Sequence, residues 1–220
     1  MAEKPILCTA QVVRNLLDGK QTQDRRPIRH IGNCMHHGKI LGSWGLSEPP
    51  CQYDGEERLW RWQGKALPQK GDWIWSLQTD VDDEAVFPLK SPYSVGDHLY
   101  VRETWCPGDA IFHKGTGEPA VVRYKADGPP IPGMWDDIKW RPSIHMPKWA
   151  TRIWLEVLNV RAERIQEISD ADCIAEGMDP ELRPGYGLRY AFGSLWESLY
   201  PDSWSRNDFV WVYDLRRIER

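Results

Sequence analysis

Three short stretches carry the side chains that could do chemistry. In Gly19-Lys20-Gln21-Thr22-Gln23-Asp24-Arg25-Arg26, two adjacent guanidiniums follow a run of amides and a hydroxyl. Arg25 and Arg26 present planar, forked donors suited to phosphate or carboxylate. Gln21, Thr22 and Gln23 can read a base edge. The alternative is a polar loop whose arginines pair with Asp18 or Asp24. Arg102-Glu103-Thr104 places charges inside an otherwise apolar strand. That face turns either to a pocket or to the surface, and an Arg102–Glu103 pair is the plainer reading because charges are rarely buried alone. In Arg141-Pro142-Ser143-Ile144-His145-Met146-Pro147, two prolines favour an extended path. Ser143 and His145 then share one side, Ile144 and Met146 the other. His145 there is an acid, a base or a phosphate ligand, or else Ser143 and His145 tie down a loop.

Other chemistries are disfavoured. No phosphate-binding P-loop, dinucleotide glycine fingerprint, Gly-x-Ser-x-Gly or His-Glu-x-x-His occurs. Cys34, His36, His37 and Cys51 do not follow a standard zinc spacing, so no metal and no cofactor are expected. Trp60, Trp62, Trp73 and Trp75 could stack bases, but at strand spacing they read rather as core or partner-facing residues.

The elements that must position these residues fit one domain. The 220 residues, 41% hydrophobic and 27% charged, are globular in composition and long enough to bury a core without staples. No apolar run reaches the ~18 residues of a membrane span. Five scattered cysteines read as reduced thiols in a cytoplasm. The net charge of −4 excludes a wholly basic nucleic-acid binder. Charge is uneven, however: residues 11–40 carry six cations against two acids, and 41–90 five against nine. A local phosphate patch near the N-terminus is compatible with this; so is a solvated mixed surface.

Thirteen tryptophans, 17 prolines and 18 glycines point to short strands and many turns. A strand over Pro5–Thr9 leads into a helix over Ala10–Asp18 that Thr9 caps and Gly19 ends. Residues 20–29 read as a polar loop or extended segment, and 31–57 as an irregular insertion. Arg58–Gln63 and Asp72–Leu77 read as a hairpin, followed by an acidic loop over Thr79–Ala85. Further strands fall at His98–Thr104, Ala120–Ala126 and Ala150–Val160. Ser169 with Asp172 makes a capping box for a helix that ends at Gly177; a second helix covers Leu188–Leu199. Phe209–Ile218 is a closing strand, probable centre of the sheet from its two apolar faces. The order gives an α+β fold with a bent sheet or small barrel.

Four segments in this order resemble the ASCH family, a β-barrel fold related to the PUA RNA-binding domain. They are Leu17–Arg26, Val95–Trp105, Trp140–Ile153 and Ile168–Gly177. The resemblance is to the larger bacteriophage and prophage members. It implies a single PUA-like small β-barrel over 1–220, with flanking helices and 31–90 as a long insertion. It also implies a role with RNA or a modified nucleoside in a bacterial cytoplasm. The family includes amidohydrolases of acylated cytidine, in which a loop lysine, a threonine three residues on and a glutamate carry the chemistry. The matching positions here are Gln21, Asp24 and Glu176, so two of three differ. Glutamine is neither base nor cation. Lys20 is adjacent to Gln21 but points the other way on an extended loop, so the expectation is Gln21 inward and Lys20 in solvent.

The leading expectation is a binding cleft for RNA or a modified nucleoside. Its ligand-binding candidates are Lys20, Gln21, Thr22, Arg25, Arg26, Arg102, Glu103, Arg141 and Ser143. The alternative is a nucleoside amidohydrolase or ribonuclease, with Glu176, His145 and Asp24 as catalytic candidates. A third reading has the acidic, tryptophan-rich stretch 41–90 bind a host protein.

Overall fold

The computed structural model describes residues 2–28, 35–36, 39–40, 51–52, 60–62, 73–78, 84–107, 121–129, 138–181 and 187–220. The zinc-like set around Cys34 and His37, most of the acidic loop 79–85 and most of the host-protein stretch 41–90 lie outside them. Within these residues the chain is mixed α+β, with a sheet core and few helices. No helix is long and apolar enough to cross a membrane.

Strand β1 (Glu3–Leu7) runs into helix α1 (Ala10–Leu17). The Thr9 side chain accepts from the Val12 backbone N–H, and Val13 and Leu16 bury the apolar stripe. Gly19 ends the helix at φ +70°, a conformation that favours glycine. Strand β2 (Gln23–Pro27) follows where the polar composition also allowed a loop. Short strands β3 (Met35–His36), β4 (Lys39–Ile40), β5 (Cys51–Gln52), β6 (Trp60–Trp62), β7 (Trp73–Gln78) and β8 (Glu84–Leu89) come next. The hairpin expected between Arg58–Gln63 and Asp72–Leu77 is not formed. Strand β6 pairs parallel with β8, while β7 takes β8 and β5 as antiparallel neighbours. Alternating tryptophans mark a strand face but do not name its neighbour.

The main sheet is completed by β9 (His98–Arg102), β12 (Trp154–Arg164) and β13 (Phe209–Ile218), in the order β1-β9-β12-β13-β2. Between β9 and β12, β10 (Trp105–Pro107) and β11 (Val122–Tyr124) form a separate pair. The sheet is not a closed barrel: β1 and β2 are its two edges among the described residues. One side chain spans that seam, with Arg26 Nη2 on β2 donating to the Leu7 carbonyl on β1 at 2.9 Å. The clearest expected strand, Ala150–Val160, lies four residues later, because Lys148–Ala150 turns as a short 3-10 helix.

Strand β13 shows why the closing segment is apolar on both faces. Phe209, Trp211, Tyr213 and Leu215 point into one core with Ile6, Val13, Leu16, Leu99, Val101 and Leu155. Val210 and Val212 point the other way, beneath α2 (Asp170–Ala175) and α3 (Leu188–Leu199), with Ile165, Ile168, Cys173, Phe192 and Trp196. The capping box expected at Ser169 and Asp172 is present in both directions.

Candidate functional site

Strand β2 places consecutive side chains on opposite faces, and this splits the arginine pair. Arg25 faces α2 and its side chain is 0% exposed. Its Nε and Nη2 donate to Glu163 Oε1 at 3.2 and 2.6 Å, and its Nη1 donates to Glu176 Oε1 at 2.9 Å and Gln23 Oε1 at 2.7 Å. Asp172 Oδ1 lies 3.6 Å from Nη2. Arg161 extends the same layer, pairing with Glu163, Asp172 and Asp214 at 3.0–3.2 Å. Gln23 Nε2 donates to Asp214 at 2.8 Å. Two guanidiniums thus hold four carboxylates between the sheet and α2.

Backbone pairing clamps this layer shut. Gln21 bridges to Glu176, and the Thr22 N–H donates to the Ala175 carbonyl at 2.8 Å. Gln21 is 6% exposed; its Nε2 donates to the Gln23 carbonyl while its Oε1 is buried without a hydrogen-bond partner. Lys20 is 66% exposed and pairs with Asp18. This is the orientation the alternation argument expects: the amide inward, the ammonium in solvent. Thr22 itself is exposed.

Electrostatics follow from burial. Desolvation pushes the Glu176 carboxyl well above its ordinary value, the nearby Asp24 carboxylate adds to this, and the Arg25 guanidinium opposes it. The upward direction stands despite the 2.9 Å ion pair, because carboxylates outnumber guanidiniums in this layer. Asp172 is held down at about 2, against its own desolvation, by hydrogen bonds from Ser169 and Gln23 and by the charge of Arg25. Asp214 is lowered too, against desolvation, by hydrogen bonds from Asn159, Gln23 and Arg161.

On the other face of β2, Arg26 Nε donates to Asp24 Oδ2 at 2.6 Å and its Nη2 to Oδ1 at 3.2 Å. Here the open seam forms a cleft of about 850 Å³, inside the ~300–1,000 Å³ range of small-molecule sites. Its wall holds the cations Arg26, Lys90 and Arg102 and the aromatics Tyr93, Tyr200 and Trp211. Trp73 meets Trp211 edge-on at 4.7 Å and 77°, so this tryptophan packs as core. Arg102 Nη1 donates to the Ile144 carbonyl at 3.1 Å, while Arg102 Nε is buried without a hydrogen-bond partner.

The structure divides the expected site residues. It joins Gln21, Arg25 and Glu176 in the buried layer, and Asp24, Arg26 and Arg102 around the cleft. Glu103 is 1% exposed and pairs with Arg152 at 2.9 and 3.0 Å, not with Arg102. Its carboxyl is raised by desolvation, which Arg152 opposes. Arg141 bridges to Trp105 and lies 5.3 Å over its ring. The extended path expected for 141–147 is instead a 3-10 turn over Ser143–His145, closed by His145 N–H to Pro142 and Met146 N–H to Ser143. Met146 is fully buried and anchors the turn, so His145 is exposed. Glu176 and His145 therefore sit in different layers. Sequence reasoning missed Arg161, Glu163, Lys90 and Tyr93. The period-2 pair Arg161 and Glu163 was the available signal, but the strand was ended at Val160.

No family model, no curated protein and no solved structure matched the chain.

Proposed function

We propose that this chain binds a nucleotide unit, from RNA or a modified nucleoside, in the seam cleft of an ASCH-type, PUA-like barrel left open between β1 and β2. We place its action in a bacterial cytoplasm. The observation that carries the reading is the cleft wall: three cations interleaved with three aromatic rings around about 850 Å³. Cations take the phosphate and rings take the base. Arg102, with a buried Nε that lacks a partner, gains a hydrogen bond when a phosphate reorients it. Arg25 is not a ligand donor in this reading, because its donors are spent on Glu163, Glu176 and Gln23.

The test is calorimetric titration with nucleoside monophosphates and acylated cytidine, using wild type, Lys90→Ala and Arg102→Ala. Each substitution should weaken monophosphate binding by about 5–10-fold, the loss of one charge-assisted contact. Binding that is absent at low salt, or unchanged in both variants, sinks the reading.

A hydrolase is the second reading, favoured by the raised Glu176 carboxyl, a feature common in acid–base catalysts. Turnover of acylated cytidine or labelled RNA should then vanish in Glu176→Gln and fall in His145→Ala. Product formed equally by both variants removes it.

A further inference from the structure

The seam cleft does not end at Arg102. Strand alternation puts His98, Tyr100 and Arg102 of β9 on the sheet face away from the Leu99–Val101 core. Pairing then carries this face sideways. Pro5 and Leu7 of β1 lie opposite Tyr100 and Arg102. Trp154 of β12 lies opposite Tyr100 on the other flank, and Arg216 opposite Glu156. Leu7 and Arg102 also line the cleft, so cleft and face share a wall.

This face alternates rings and cations. Tyr100 and Trp154 have centroids 5.8 Å apart, tilted by 51°, so they do not stack on each other. The Arg102 guanidinium lies 5.4 Å from the Tyr100 centroid. Lys148 Nζ is 5.9 Å from Tyr100 and 5.4 Å from Trp154, and Arg220 is 4.3 Å over Trp154. Lys148 and Arg220 both pair with Glu3, and Arg216 with Glu156. Four cations thus meet two carboxylates, a local positive excess on a chain of net charge −4.

We infer that a single strand of RNA runs from the seam cleft across this face, with successive bases stacked on Tyr100 and Trp154 and phosphates met by Arg102, Lys148 and Arg220. The inference rests on the nucleotide reading of the cleft and extends it from one unit to a strand. A duplex does not fit, because its bases already stack on each other and hide their faces. Lys148 and Arg220 leave the ring faces at small cost, since their ties to Glu3 are surface ion pairs. Charge then follows the backbone while the aromatic faces accept any base, so the strand is held with little sequence preference.

The experiment is fluorescence anisotropy on the full chain with a nucleoside monophosphate as competitor, a labelled RNA octanucleotide and a 12-base-pair RNA duplex. The octanucleotide should bind at least 10-fold tighter than the monophosphate, and the duplex should compete poorly. Trp154→Ala should weaken the octanucleotide by about 5-fold or more, one lost stacking contact, and leave the monophosphate unchanged. Lys148→Gln with Arg220→Gln keeps the rings, guards against a folding artefact, and should flatten the salt dependence by roughly one unit of log–log slope. An octanucleotide that binds no tighter than the monophosphate overturns the strand path, as does tight binding that both variants leave unchanged. Octanucleotide binding that depends on Trp154 without any monophosphate binding supports the path and refutes the cleft.

Discussion

Replacing Arg25 with alanine tests whether the layer beneath α2 holds the fold together. The guanidinium is 0% exposed and makes two hydrogen bonds to Glu163, one to Glu176 and one to Gln23. Its removal strands carboxylates whose side chains are 17%, 9% and 23% exposed at Glu163, Glu176 and Asp172. Removing one partner of a buried ion pair costs about 3–5 kcal/mol. Water reaches Glu163 and Asp172 in part, which sets the expected loss near the lower end, at about 3 kcal/mol. Arg25→Lys keeps the charge but loses the fork that serves Glu163 and Glu176 together, and should cost about half as much. Adding Glu176→Gln to Arg25→Ala should return part of the loss, because the uncompensated charge nearest the gap is then gone. Urea unfolding read at an unchanged m value gives all three differences. A loss below about 1 kcal/mol for Arg25→Ala, or an Arg25→Lys protein as stable as wild type, refutes the argument.

Two further outcomes follow from the same layer. The Glu176 carboxyl is raised in the folded state above its ordinary 4.5, so the folded protein binds that proton more tightly than the unfolded chain and stability falls as pH rises from 4.5 through the raised value. Asp172, held at about 2, and the lowered Asp214 act oppositely: their stabilisation is present above their ordinary 3.8 and is lost as pH falls toward 2. Thermal unfolding of wild type should therefore peak in mildly acid solution. Glu103 adds a slope of the same sign as Glu176, so the measured quantity is the difference between wild type and Glu176→Gln; equal slopes above pH 5 would count against the assignment. Gly177→Ala should also destabilise. Gly177 sits at φ +82°, its added Cβ would lie 2.3 Å from Asn15 Nδ2, and that amide donates to the Gly177 carbonyl. A cost of about 1–3 kcal/mol lowers Tm by roughly 3–10 °C for a chain this size, and a Tm within about 1 °C of wild type would contradict it.

Much of the fold was legible where local chemistry decides it. Thr9, Ser169 and Gly19 fixed helix ends because caps and left-handed glycines act on the nearest few backbone groups. Phe209–Ile218 was legible as central because both of its faces are apolar, and the helix Leu188–Leu199 because its stripe is periodic. The site was less legible because it depends on partners far along the chain. Nothing near Arg25 signals Glu163, 138 residues away, and nothing near Glu103 signals Arg152, 49 residues away. The turn at Ser143–His145 was lost to the opposite error. Two prolines argued for extension, but buried Met146 pulls the backbone around and turns His145 outward.

Strand β2 makes the difference between support and function a matter of parity. Register pairs Arg25 with Val212 and Arg26 with Trp211 on β13. Val212 belongs to the core under α2, and Trp211 to the cleft wall. Two chemically identical neighbours therefore receive different work: one guanidinium is consumed by acids in a dry layer, the other closes the seam between β1 and β2. Gln21 shares the parity of Arg25, and Asp24 that of Arg26. A lysine at position 21 would enter a layer already rich in acids, while a threonine at 24 would leave Arg26 without its carboxylate. The two family-like substitutions thus act on opposite faces of one strand. A cleft that works by binding needs only the Arg26 face, and the Arg25 face keeps the strand that carries it in register.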